Sequence, residues 1–139
     1  MSASPVFFVT PRHAGADSTG SANSVTTRSG ANNLATVVTG AAGGSIIERV
    51  TIVQNGTGAS TANNIARFYI YDGTTNFDLV HEVNLGASVT PSATVLGTRI
   101  TVPEVVGFKL PSASYSLRVW FSAAAAGDDY TITAQVADL

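Results

Sequence analysis

A chain of 139 residues fits one domain and at that size buries about two-thirds of its unfolded surface, so it needs no covalent staple to fold. It contains no Cys, which removes disulfides, thiolate metal sites and cysteine nucleophiles and fits folding in a reducing cytoplasm. Charged residues make up only 12% and the net charge is -2; the seven basic residues (Arg12, Arg28, Arg49, Arg67, Arg99, Lys109, Arg118) are scattered, which argues against sequence-independent nucleic-acid binding.

In chain order, residues 1 to about 33 are rich in Ser, Thr, Ala, Asn and Gly, with one apolar cluster, Val6-Phe7-Phe8-Val9, between Pro5 and Pro11. The flanking prolines keep this cluster extended, so residues 1–33 are expected to form an extended N-terminal arm and 34–139 a separate domain. No stretch approaches the roughly 20 apolar residues that span a bilayer. The start lacks the basic segment of a secretory signal, so the chain is expected to stay in the cytoplasm where it is made, with no membrane partner.

From Leu34 onward, short apolar runs alternate with turn residues at regular spacing, the pattern of a sandwich or barrel. Strands are expected over 34–39, 46–54, 65–71, 77–85, 95–102, 105–110, 115–122 and 130–137. In the third of these to be bounded by clear turns, Ala66, Phe68 and Ile70 face one way and Arg67, Tyr69 and Tyr71 the other; Asp72-Gly73 then marks a tight hairpin. Tyr115, Leu117, Val119 and Phe121 share a face, as do Tyr130, Ile132, Ala134 and Val136. Ile47, Val50 and Ile52 cannot share a face at strict period 2, so a bulge is expected near Glu48-Arg49. Eight antiparallel strands must close or double over to manage their edges. The expected fold is therefore all-β, an antiparallel two-sheet β-sandwich of jelly-roll type. A mean hydropathy of +0.24 is high for a soluble domain and points to apolar surface that meets another subunit.

Catalytic chemistry finds few candidates. A hydroxyl nucleophile needs a base held by a third group, and only His13 and His81 could serve. His13 lies in the N-terminal zone. His81 falls mid-strand, on the face of Phe77, Leu79, Val83 and Leu85 if alternation is strict, where a satisfied core or bulge-edge histidine outweighs a catalytic one. Two isolated His and no Cys make no zinc site. Asp128-Asp129 reads as a solvated turn before the last strand rather than a calcium loop. Glu48, Glu82 and Glu104 lie on or beside different strands, with nothing pairing them for glycoside hydrolysis. Gly56-Thr57-Gly58 precedes no helix and cradles no phosphate. The expectation is a protein that is not an enzyme and needs no cofactor or metal. Tyr69, Tyr71 and Trp120 project opposite the predicted core. They fit either a sugar-binding platform or, in preference, rings covered by the N-terminal arm or by a neighbouring subunit.

The stretch IIERVTIVQNGTGASTANNIARFYIYDGTTNFDLVHEVNL, followed by VTPSATV and FKLPSASYSLRV, resembles a family of small structural proteins of tailed bacteriophages. The shared order runs through Gly43-Gly44, Ile46 to Ile52, Thr57 to Thr61, Tyr69 to Gly73, Glu82-Val83, Thr90 to Ala93 and Leu110 to Arg118. Val6 to Arg12 resembles the family's apolar-then-Thr-Pro opening, whereas Asp17 to Asn33 departs from it. The resemblance implies a virion component on the capsid surface, a capsid decoration (cement) protein made in the host bacterial cytoplasm. Its partners would be the major capsid protein and further copies of itself, as a homotrimer. No catalytic residue carries over. Val6, Phe7, Phe8, Val9, Tyr69, Tyr71 and Trp120 are then the candidate interface residues, with the arm adding a strand to a neighbour's sheet edge. A tail, baseplate or head-fibre component and a carbohydrate-binding host-attachment module are the alternative readings.

Overall fold

The computed structural model describes residues 10–18, 34–54, 64–86, 91–121 and 130–139. Among the described residues there are nine strands: β1 (Thr10–Ser18), β2 (Ala35–Thr39), β3 (Ser45–Gln54), β4 (Asn64–Tyr71), β5 (Phe77–Gly86), β6 (Arg99–Thr101), β7 (Lys109–Leu110), β8 (Ser116–Phe121) and β9 (Tyr130–Asp138). They form two antiparallel sheets. The five-stranded sheet has the order β1-β9-β3-β6, with β7 also paired to β3; the four-stranded sheet has the order β2-β8-β4-β5.

The pairings are nested. β1 pairs with β9, β2 with β8, β3 with β6 and β7, and β4 with β5. The chain is thus one long hairpin of strand pairs, wrapped so that β9 also meets β3 and β8 also meets β4. This is the jelly-roll arrangement, and it buries one face of each sheet against the other.

The core follows the alternation read from the sequence. Ile47, Val50, Ile52, Ala66, Phe68, Leu117, Val119, Phe121, Tyr130, Ile132, Ala134 and Val136 all lie in one buried cluster between the sheets. The bulge in β3 is present: Ile47 is opposite Val136 and Arg49 opposite Gln135, leaving Glu48 as the extra residue. The one-residue register shift returns Val50 to the inner face.

Three expectations need correction. First, Thr10–Ser18, expected as part of an extended arm, is an edge strand of the chain's own five-stranded sheet, in continuous register with β9 from Thr10↔Asp138 to Ser18↔Tyr130. It carries no large apolar side chain, so hydrophobic patterning could not signal it. A polar clamp ties down its start. Arg12 donates from Nε to Asp138 Oδ2 at 2.8 Å and from a terminal nitrogen to Thr39 O at 2.7 Å, while Ser45 Oγ donates to Asp138 Oδ1 at 2.6 Å.

Second, the strands expected over 95–102 and 105–110 shrink to β6 and β7. Ser92 turns the chain ahead of β6, its N–H bonding Val95 O. A 3-10 turn at Pro103–Val105 and Gly107, at φ +90°, separate the two short strands. Third, β5 does not alternate strictly. Phe68 is opposite His81 but Tyr69 is opposite Leu79, so Val80 is an extra residue. Phe77 and Leu79 consequently face away from the core, while Val83 and Leu85 pack against or within it.

The hairpin after β4 is longer than the Asp72-Gly73 pair alone. Residues 72–76 form the loop, and the Asp72 carboxylate accepts from the N–H groups of Thr74, Thr75 and Asn76. Gly73 is required twice over: its φ is +84°, and a Cβ there would lie 2.5 Å from Ser114 O.

The end of β1 at Ser18 and the end of β3 at Gln54 both lie opposite Tyr130, the start of β9, at one end of the sandwich. The turns at 40–44, 72–76 and 111–115 close the other end and pack on one another, with Gly40 N–H bonding Tyr115 O.

Candidate functional site

The outward side chains of the four-stranded sheet form a second, smaller buried cluster of Leu34, Tyr69, Phe77 and Trp120, with Tyr71 packed against it. Register explains the grouping. Trp120, Arg67 and Glu82 are direct neighbours across β8, β4 and β5, as are Arg118, Tyr69 and Leu79, and then Ser116, Tyr71 and Phe77. Tyr71 stacks on Phe77 with ring centres 4.3 Å apart. Arg67 pairs with Glu82 and its guanidinium lies 5.1 Å from the Trp120 ring centre; that of Arg118 lies 5.0 Å from the Tyr71 ring centre. Such cation–ring contacts hold the arginine stems flat on the sheet and cover the rings. Burial pushes the Tyr69 phenol up and the Arg118 guanidinium down from their ordinary values.

Of the candidate interface residues, Tyr69 is 2% exposed and Trp120 7% exposed within the single chain. Only Tyr71 keeps partial access. These rings are brought together as expected from alternation, but as an internal cluster rather than an open platform. Val6, Phe7, Phe8 and Val9 lie outside the described residues, as do Asp128-Asp129 and Gly56-Thr57-Gly58.

His81 stands at the bulge of edge strand β5. Its Nε2 lies 3.5 Å from Glu104 Oε2, on the 3-10 turn that follows β6, so the pair bridges the two sheets at their open edge. Among the described residues its side-chain partner is Glu104. Glu82 is held by Arg67, Glu48 is the exposed bulge residue, and Glu104 faces His81; no two of them face each other across a cleft. Among the described residues, no three His, Cys, Asp or Glu side chains converge as metal ligands, and no helix is long and apolar enough to cross a membrane.

The outer face of the five-stranded sheet has a different character. A concavity of about 140 Å³ is lined by His13, Arg49, Thr51, Arg99, Thr133, Ala134 and Gln135. Three register rows build it: His13–Gln135–Arg49, then Gly15–Thr133–Thr51–Thr101, then Asp17–Thr131–Val53–Arg99. Short side chains, and none at Gly15, occupy the middle row, so the floor sits below the longer side chains of the rows on either side. The sequence pattern placed Arg49, Thr51, Thr133 and Gln135 opposite core positions. It had no means of adding His13 and Arg99, which arrive from distant strands.

No family model matches the chain, and none of the curated proteins matches it. Among solved structures, one titled "Structure of infectious bursal disease virus Gx strain" aligns with a TM-score of 0.32 and 16% identity, over 93% of this chain and 33% of that chain. The chain thus spans about a third of the length of the chain it matches.

Proposed function

We propose that the chain is a structural component of a virion, and within that class a capsid decoration (cement) protein of a tailed bacteriophage. Its jelly-roll sandwich, which leaves large apolar side chains exposed, carries this reading. Leu96 is 91% exposed, and Leu79, Val95, Val106 and Phe108 also reach solvent. Jelly rolls serve viral shells but also lectins and cupins, so the fold alone does not select a role. The site chemistry narrows it. The rings that a lectin would need are packed inside the chain. Exposed Leu and Val on a loop are what a subunit contact buries. The sequence resemblance to small phage structural proteins supplies the more specific assignment, including self-association as a homotrimer and docking on the major capsid protein.

In this reading β1 adds to its own sheet, so the cluster from Val6 to Val9, immediately before it, is the segment left to reach a neighbour. Electron microscopy of the particle tests the proposal. Density for this chain on the outer head surface, at symmetric positions between capsomers, is the expected result. Density on the tail, baseplate or head fibres would replace it with the alternative structural role. Absence from purified particles, together with glycan binding by the isolated chain, would overturn it.

A further inference from the structure

We propose that the concavity on the outer face of the five-stranded sheet is a binding site for a single oxyanion: a carboxylate, phosphate or sulfate group. Two guanidinium groups, from Arg49 and Arg99, line one hollow together with His13, and no carboxylate is among the described lining side chains. Among the described residues neither arginine has an ion-pair partner. The other three described arginines differ: Arg12 holds Asp138, Arg67 holds Glu82, and Arg118 is bonded to Ser116 Oγ and lies over Tyr71. In a chain of net charge -2, two guanidinium groups brought to one hollow from β3 and β6 make it locally positive.

The chemistry of the lining fits an oxyanion. Guanidinium groups present planar forks of N–H donors that match carboxylate, phosphate and sulfate oxygens, and they stay charged at any physiological pH. Thr51 and Thr133 offer hydroxyl donors from the floor, and the Gln135 side-chain amide offers N–H donors from the same row as Arg49. The floor is rigid, because each of these residues sits mid-strand in a fully paired ladder. Donors fixed in advance lose little freedom on binding. A volume of about 140 Å³ is several times what one water needs, which leaves room for an anion with attendant water. Its described basic residues are Arg49, Arg99 and His13 and form no stripe, so it suits one oxyanion rather than a nucleic-acid backbone.

This inference does not depend on the virion reading, since it concerns the isolated chain. The test is a titration of the purified full-length protein with sodium phosphate, sodium sulfate and sodium acetate at constant ionic strength, followed by backbone and arginine side-chain NMR. Saturable shifts confined to His13, Arg49, Thr51, Arg99, Thr133 and Gln135 are expected with at least one of the three. The anion giving the tightest curve identifies whether a carboxylate or a tetrahedral oxyanion is preferred. Arg49→Gln and Arg99→Gln should each weaken that curve about tenfold or more, the loss of one charge-assisted contact. Both side chains are exposed, so the variants retain the fold; Lys109→Gln, an exposed cation away from the hollow, should leave the curve unchanged. Shifts that never saturate with any of the three anions would overturn the site. So would a curve that neither arginine substitution alters, or one that Lys109→Gln weakens equally.

Discussion

The outer faces of the two sheets obey the same alternation rule yet carry opposite surfaces. On the four-stranded sheet, Arg67 and Arg118 lie over rings, and Tyr69, Phe77 and Trp120 pack into a cluster of their own. On the five-stranded sheet, the corresponding positions hold Thr51, Thr133 and Gln135, and Arg49 and Arg99 have no ion-pair partner among the described residues. The same residue type thus stabilises packing on one face and remains available to a ligand on the other. What decides between the two is the cross-strand neighbour: Trp120 and Glu82 flank Arg67, whereas Gln135 is opposite Arg49. An arginine's role on a sheet is set by register, not by its own position in the sequence.

Substitutions sharpen this contrast. The largest effect is expected at Trp120→Ala, which empties the centre of the ring cluster and should lower unfolding free energy by about 3–5 kcal/mol in urea titrations. Trp120→Phe should cost clearly less. The indole Nε1–H is buried without a hydrogen-bond partner among the described residues, so its removal sacrifices no bond. Equal losses for the two variants would mean that the ring itself contributes little packing to the cluster.

At the end of the same sheet, Gly73→Ala forces a Cβ to 2.5 Å from Ser114 O at φ +84°. A loss of more than about 1 kcal/mol is expected, read as a fall in melting temperature. Preserved melting behaviour would show that the 72–76 hairpin can leave Ser114 at little cost.

Across on the five-stranded sheet, Arg12→Ala removes the clamp on β1. Its ion pair is partly exposed, so the global loss should be about 1 kcal/mol. The more telling readout is amide exchange, which should accelerate in β1 while β3 and β9 stay protected. The same clamp predicts a pH dependence. The Arg12 guanidinium, and then the Ser45 hydroxyl, hold the Asp138 carboxyl below the usual carboxylate range, and the Thr74 amide chiefly does so for Asp72. A carboxyl with a depressed folded-state pKa favours folding above its unfolded value of about 3.9 and loses that contribution as pH falls through the folded value. Urea stability should therefore hold near neutrality and decline below about pH 4, and Asp138→Asn should shallow that decline.

The smallest effect on stability belongs to the hollow. Arg49→Ala and Arg99→Ala should each change unfolding free energy by no more than about 0.5 kcal/mol, because neither side chain supports packing or an ion pair. A loss above 1 kcal/mol, by the same surface-substitution scale, would place them in the structural class of Arg67 and Arg118 and break the comparison.

Much of the sandwich was legible in the sequence because its inner faces obey a period of two. The runs at 46–54, 65–71, 115–122 and 130–137 needed nothing but alternation, and the misfit of Ile47 against Val50 announced the bulge at Glu48. The bulge at Val80 left no such trace: Phe77, Leu79, His81, Val83 and Leu85 alternate on paper. Only pairing with β4 reveals that the strand changes face midway, carrying Phe77 to the ring cluster. β1 was invisible for a related reason. A strand of Thr, Pro, Arg, His, Ala, Gly, Asp and Ser has no apolar signal, and it is held by main-chain pairing to β9 and by Arg12 on Asp138, a partner 126 residues away.

The sequence by itself determined the class: an all-β chain whose inner residues form one core, because alternation of side chains is a local property of extended backbone. It also determined that Tyr69, Tyr71 and Trp120 share the face opposite that core. Only the tertiary structure decided how those rings are used, which strands pair, and that His13, Arg49 and Arg99 border one hollow. Those outcomes depend on cross-strand register, and register is set by contacts between strands far apart in the chain, where local pattern has no information to give.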